Sequence, residues 1–270
     1  MLEMKHSFLD DKEFETMRIT RFIKSTVRSA DAKGVVVGVS GGIDSAVVAT
    51  LCERALGPER VTALLLFEDP NRGSADYSDA RQLTELLRIR TVDISITPLI
   101  ETFTRLLKEV SGVDRQLSRL TLGNIKARLR MSILYSFANE QNLLVAGTGD
   151  RSESLVGYFT KFGDGAADFF PIGHLYKTEV RRLARSLGVP QSIVEKPSSP
   201  NLWQGHKATD ELPAEYDILD QILASVFDSN KSLETIEKEV NVSPKTISDV
   251  IRLNFKSAHK REMPKMLPRL

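Results

Sequence analysis

Apolar positions along this chain fall into two signatures. Val35-Val36-Val37-Gly38-Val39, residues 61–67 and residues 143–146 are short unbroken runs without polar alternation. Such runs read as strands buried on both faces of a parallel sheet. Residues 90–94 add a shorter strand candidate flanked by charge. Between the strands lie helix-compatible stretches over residues 46–56, 74–87, 96–110 and 123–139, with Pro98 tolerated in a first turn. Residues 14–30 precede them with Phe14, Met17, Ile19, Phe22, Ile23 and Val27 at mostly helical spacing. The alternation of strand and helix predicts an α/β fold: a doubly wound parallel sheet flanked by helices.

Beyond residue 150 the pattern changes. Residues 157–168 are glycine-rich, charged and aromatic, which suits an ordered functional loop. A final short strand is expected over 169–172 and a helix over 177–187, closed by Gly188 and Pro190. Residues 196–209 form a long irregular connection, expected to act as a lid or binding segment. Helices over 213–227, 233–240 and 244–255 make a C-terminal helical extension, followed by a basic tail at 256–261. Residues 111–122 show no clear period and read as a loop or a fraying helix end. No internal repeat is present, and one domain over 1–270 is expected.

Composition narrows the function classes. A chain of 270 residues with 41% hydrophobic content can bury a substantial core, and a formal charge of +1 announces neither a nucleic-acid nor a membrane partner. The single cysteine, Cys52, excludes an internal disulfide framework and a cysteine-cluster zinc site, and its helical setting suits a buried inert thiol. No run is long enough to span a membrane, and the polar N-terminus is not a signal peptide, so a cytoplasmic protein is expected.

The candidate chemistry begins where the first strand ends. Gly41 and Gly42 allow a tight turn whose backbone N–H groups converge on an anion, and a helix starting near Asp44 adds its own unpaired N–H groups. Ser40 and Ser45 supply hydroxyl donors, and Asp44 a carboxylate suited to a metal on the same phosphates. The turn carries no GxxxxGK[ST], and its glycines lack GxGxxG spacing, so it is neither a Walker A loop nor a Rossmann turn. SGGxDS after a buried strand resembles the pyrophosphate loop of the N-type ATP pyrophosphatases, the adenine nucleotide α-hydrolase-like enzymes.

Five further motifs sharpen that resemblance: GNIKARLRM at 123–131, GTGDRSE at 147–153, GYFTKFGDGAAD at 157–168, KPSSPNLW at 196–203 and HKR at 259–261. With GVSGGIDS at 38–45 they make the chain similar to ammonia-dependent NAD synthetases. The resemblance implies that deamido-NAD is adenylated by ATP at its nicotinate carboxylate, with release of pyrophosphate. Ammonia then forms the amide and AMP departs. It also implies Mg²⁺ and a homodimer, with no nucleic acid or membrane among the partners.

Residue by residue, the resemblance places Gly38, Val39, Ser40, Gly41, Gly42, Ile43, Asp44 and Ser45 around ATP, together with Thr148, Lys177 and Ser198. Asp44 and Glu153 are implied as magnesium ligands and, with Lys177, as catalytic residues. Arg128, Lys161, Asp168, His259 and Lys260 are implied as deamido-NAD contacts. Each has a plainer alternative: Asp44 and Glu153 as helix caps, Arg128 and Lys177 on solvated helix faces, Lys161 and Asp168 as loop charges, and His259-Lys260 in a solvent-exposed tail. His6, His174 and His206 suit surface or local hydrogen-bonding roles. Two departures from the family pattern stand out: GTGDRSE replaces GTDHxxE, and Glu211-Leu212-Pro213 replaces Glu-Leu-Gly.

Two other readings stay open on the sequence. Another ATP pyrophosphatase would share the loop at Gly38, although residues 157–168 argue for the dinucleotide acid. A nucleic-acid-binding regulator would use the helix pair around Val242-Ser243-Pro244 as a helix-turn-helix.

Overall fold

The computed structural model describes residues 12–111, 117–197 and 211–267. Four parallel strands form the sheet: β1 (Gly34–Gly38), β2 (Val61–Phe67), β3 (Arg90–Ser95) and β4 (Leu143–Val145), in the order β3-β2-β1-β4. Val35 pairs with Val61 on one side and Leu144 on the other, while Thr62 pairs with Arg90. The chain therefore builds outward from β1 to β3 and returns to add β4 beside β1. This reversal creates a switch point between β1 and β4, where ligands of open α/β sheets bind beyond the carboxyl ends of the strands.

Period-two geometry sends alternate residues of each strand to opposite faces. Val35 and Val37 of β1, with Ala63 and Leu65 of β2, pack on helices α1 (Lys12–Ser29), α2 (Ile43–Leu56) and α3 (Ala75–Leu86). That layer also holds α7 (Lys177–Leu187) and the short α8 (Gln191–Val194). On the other face, Val36, Leu64 and Leu66 meet Ile100 of α4 (Thr97–Ser111) and Ala138 of α5 (Arg119–Gln141). Full burial of one such aliphatic side chain is worth about 1.5–3 kcal/mol, so a polar residue at Val36 or Leu64 would break the sheet's packing.

A third core joins α9 (Tyr216–Leu223), α10 (Leu233–Val240) and α11 (Pro244–Arg261) through Leu219, Ile222, Ile236, Ile247 and Val250. It reaches α6 (Arg151–Val156) and the start of α7 through Val156 and Tyr176. Among the described residues, no helix is long and apolar enough to cross a membrane.

Several boundaries differ from the sequence pattern for local reasons. Helix α5 begins at Arg119 rather than at Gly123 because the Ser118 hydroxyl accepts from Thr121 N and caps the earlier turn. The expected strand at 169–172 reduces to one parallel bridge between Ala146 and Phe169, since the chain then turns, with Gly173 N donating to Phe170 O. Helix α9 starts only at Tyr216, past Pro213, and continues into a π-turn at Ala224–Asp228. The basic segment expected as a tail is the last turn of α11.

Candidate active site

Beyond β1 the chain makes the glycine turn. Gly41 has φ +77°, and a Cβ there would lie 2.1 Å from the carbonyl oxygen of Asp76, so both backbone conformation and space demand glycine. Ser45 Oγ donates to Gly42 O at 2.9 Å and accepts from Ser40 N at 3.2 Å, while Gly42 N donates to Ser40 Oγ at 3.3 Å. The serine hydroxyls thus shape the loop from within. Gly42 is the N-cap of α2 and supplies no side-chain cap, which leaves the helix's opening N–H groups directed toward the switch point. Val39 and Ile43 are buried in the core and anchor the turn at both ends.

The loop after β4 comes alongside. Asp150 is the N-cap of α6, its Oδ1 accepting from Glu153 N at 2.8 Å, so Glu153 is not the cap and its carboxylate is turned to the site. Lys177, at the first position of α7, reaches in from a third helix. Its Nζ lies 2.7 Å from Asp44 Oδ2, 2.9 Å from Asp150 Oδ2 and 2.9 Å from Glu153 Oε1. The lysine is 1% exposed, whereas the Asp44 and Glu153 side chains keep 21% and 23% of their surface open. Asp44 Oδ1 is buried without a hydrogen-bond partner among the described residues.

Electrostatics follow from that crowding. Burial alone would favour neutral Lys177, but Asp150, Asp44 and Glu153 outweigh it and hold the ammonium well above its ordinary pKa. Burial raises Asp150 to about 6, with Asp44 adding to the rise and Lys177 opposing it. Glu153 is likewise raised, first by burial and then by the neighbouring acids, against the pull of Lys177. Carboxylate oxygens of Asp44, Asp150 and Glu153 lie within 4.8 Å of one another. An all-oxygen donor set with a spare oxygen on Asp44 fits a hard divalent cation such as magnesium, which takes few protein ligands and shares phosphate oxygens.

Thr148 lies half-buried in the same loop as Asp150. A second group of the expected residues forms a chain of contacts nearby. Arg128 Nε and Nη2 donate to the carbonyl of Lys161 at 3.3 and 3.2 Å, and Lys161 Nζ donates in turn to the carbonyl of His259. Lys260 Nζ donates to Gly157 O at 2.7 Å and Phe159 O at 2.8 Å, and Arg261 reaches the carbonyls of Ser154 and Leu155. The end of α11 therefore stitches residues 154–159 in place through their backbone carbonyls, and Lys161 through its ammonium. Asp168 Oδ2 accepts from Val145 N at 2.7 Å, which ties the following loop to β4. Ser198 and Trp203 lie outside the described residues, as do His6 and His206, while His174 Nε2 sits 2.6 Å from Glu15 Oε1. Cys52 is buried, and desolvation pushes its thiol up to about 12, as expected of an inert residue.

Sequence reasoning passed over two members of this site. Asp150 carries a signal, since Asp-x-x-Glu before a helix is a capping pattern that places both carboxylates on one turn. Lys196 carries none: its Nζ reaches Gly41 O at 3.1 Å while held by Asp76 Oδ1 at 2.5 Å and Asp79 Oδ2 at 2.6 Å.

The chain is similar to known proteins over nearly its whole length. The family model described as NAD synthase matches residues 15–264. The NH₃-dependent NAD⁺ synthetase of Hyperthermus butylicus is 46% identical over 254 residues, covering 94% of this chain and 90% of that protein. That of Methanocaldococcus jannaschii is 45% identical over 249 residues, covering 92% and 93%. Among solved structures, the NMN synthetase of Francisella tularensis aligns with a TM-score of 0.82 at 35% identity, covering 96% of this chain and 99% of that one. The NH₃-dependent NAD synthetase of Campylobacter jejuni, solved with nitrate, aligns with a TM-score of 0.79 at 33% identity and the same coverage. A glycine turn beside a lysine-bridged acid cluster at the sheet's switch point, together with these likenesses over nearly the whole chain, gives its descent: the chain belongs to the NAD synthase family.

Proposed function

We propose that this chain amidates deamido-NAD with ammonia at the expense of ATP, yielding NAD, AMP and pyrophosphate. The observation that carries the reading is the meeting of the 39–45 phosphate turn with Asp44, Glu153 and Lys177, brought from three separate helices to one point. Opening N–H groups of α2 receive ATP's phosphates, and Gly41, packed on the Asp76 carbonyl, with Ser45 holds the turn in the shape that presents them. The substrate carboxylate attacks the α-phosphorus: a carboxylate O–P bond forms, and the bond to pyrophosphate breaks. Ammonia then attacks the acyl carbon and displaces AMP, shedding one proton. No enzyme nucleophile is required.

Lys177 stays protonated across neutral pH, so it acts as a fixed positive charge against the phosphates rather than as a base. Asp44, Glu153 and Asp150 would hold magnesium, which supplies charge neutralisation on the polyphosphate when bound. Arg128 and Lys161, with His259, Lys260 and Asp168 shaping the loop beside them, form the deamido-NAD side of the site. Thr148, half-buried in the loop beside Asp150, contacts ATP. The setting is cytoplasmic, where these nucleotides reside.

A homodimer completes the reading. Helix α4 exposes Leu99, Phe103, Leu106 and Val110 at helical spacing, with Leu120 of α5 also exposed. An apolar stripe of this kind is costly to leave in water and suits a second copy of the chain.

The test is product analysis after incubation with ATP, magnesium, deamido-NAD and either ammonium or glutamine. AMP, pyrophosphate and NAD with ammonium alone support the reading; ADP and inorganic phosphate overturn it. Offering nicotinate mononucleotide in place of the dinucleotide decides the substrate, and a preference for the mononucleotide overturns the dinucleotide assignment.

A further inference from the structure

At the opening of helix α7 the local capping contact is Glu179 Oε2, which accepts from Tyr176 N at 2.9 Å. The hydroxyl of Tyr176, the N-cap residue, is turned to Asp228 Oδ2 at 2.7 Å. The next two amides are met from distant parts of the chain. Lys177 N donates to Ser152 Oγ at 2.9 Å, and Thr178 N donates to Asp220 Oδ2 at 2.8 Å. Ser152 Oγ donates onward to Asp220 Oδ1 at 2.5 Å, so one carboxylate from α9 holds the first turns of both α6 and α7. Asp220 is 5% exposed, and burial raises its pKa above the ordinary carboxylate value, opposed by these bonds and by Lys177. One turn earlier on α9, the Tyr216 ring lies 5.3 Å from Lys177 Nζ. Helix α9 therefore bears on Lys177 at both ends, on its backbone through the Asp220–Ser152 bond and the neighbouring Thr178 amide, and on its ammonium through Tyr216.

We propose that Asp220 is the positioning residue for Lys177: by joining the openings of α6 and α7, it sets the ammonium against Asp44 and Glu153. The proposal rests on the reading of Lys177 as the charge that faces the phosphates. The carboxylate touches no reacting group; it acts through the lysine. Loss of such outer support typically costs about 10- to 100-fold in activity.

The experiment measures kcat and KM for D220N, D220A and S152A in the full-length enzyme with ATP, magnesium, deamido-NAD and ammonium. Thermal unfolding by circular dichroism establishes that each variant is folded. D220N is expected to lose about 10- to 100-fold in kcat with KM for deamido-NAD retained. D220A falls further, because the asparagine amide oxygen still accepts one bond, and S152A falls less than D220A because Thr178 keeps its partner. In a K177A background, with AMP followed over hours, D220N adds no further loss. An equal factor in both backgrounds, or a D220N effect confined to unfolding temperature, overturns the proposal. A K177A enzyme with undiminished kcat overturns the reading of Lys177 itself. A defective K177A beside a fully active D220N overturns only the role of Asp220. S152A keeps the carboxylate in place and provides the second route to the answer should the Asp220 variants not fold.

Discussion

The Lys177 ammonium lies 2.7 Å from Asp44 Oδ2, joining the first turns of α7 and α2 across 133 residues of sequence. A cation at two helix N-termini faces the wrong end of both dipoles, and only the surrounding carboxylates make the position favourable. The same carboxylates would repel one another without it.

K177M therefore leaves Asp44, Asp150 and Glu153 facing one another with no cation between them. Removing one partner of a buried ionic cluster costs about 3–5 kcal/mol, so K177M is expected to unfold at clearly lower denaturant. Magnesium should recover a larger share of that loss in K177M than it adds to the wild type. Equal unfolding midpoints for the two proteins without metal would refute the compensating role of Lys177.

Asp150 sets a pH window. Its folded value of about 6 stands above the ordinary 3.8, chiefly through burial. Between these two values the folded chain keeps a proton that the unfolded chain releases, so this group's contribution to stability falls as pH rises from 3.8 to about 6. D150N, which still caps α6, removes that dependence. Unfolding free energies across the window should slope less with pH in D150N than in the wild type, and parallel curves would count against the assignment.

G41A introduces a Cβ at φ +77° and 2.1 Å from the carbonyl of Asp76. Strain alone amounts to about 1–2 kcal/mol, and the clash must be relieved by moving the turn away from α3. Calorimetric titration with ATP and magnesium should show weakened binding together with a lower unfolding midpoint. Unchanged affinity would separate the turn from the phosphates.

Phe103 stands at the centre of the apolar stripe on α4 and is 45% exposed. F103E places a charge there without disturbing the inward face, where Ile100 packs under the sheet. Sedimentation should show wild-type dimers and F103E monomers at the same concentration. Dimers in both would move the subunit interface elsewhere.

The strands were legible because a sheet buried on both faces leaves no choice but unbroken apolar runs: residues 61–67 of the sequence pattern are the observed β2. The phosphate turn was legible for a similar reason, since positive φ and close backbone approach admit only glycine at Gly41. Helix ends were less so. A cap depends on one hydroxyl, such as Ser118 for α5, and apolar periodicity is blind to it. The last turn of α11 looked like a basic tail because Lys260 and Arg261 spend their charge on backbone carbonyls of residues 154–159, which leave no mark in sequence.

What the sequence determined by itself is the local chemistry: which segments must be buried, where the chain must turn without a side chain, and which turn suits a phosphate. Those properties depend on residues within a few positions of one another. Tertiary structure alone decided that Lys177 neutralises Asp44, Asp150 and Glu153, and that Asp220 of α9 caps α7 from 42 residues away. Electrostatic and hydrogen-bond partners are chosen by distance in space, and the order of β4 beside β1 is what brings those distances within reach.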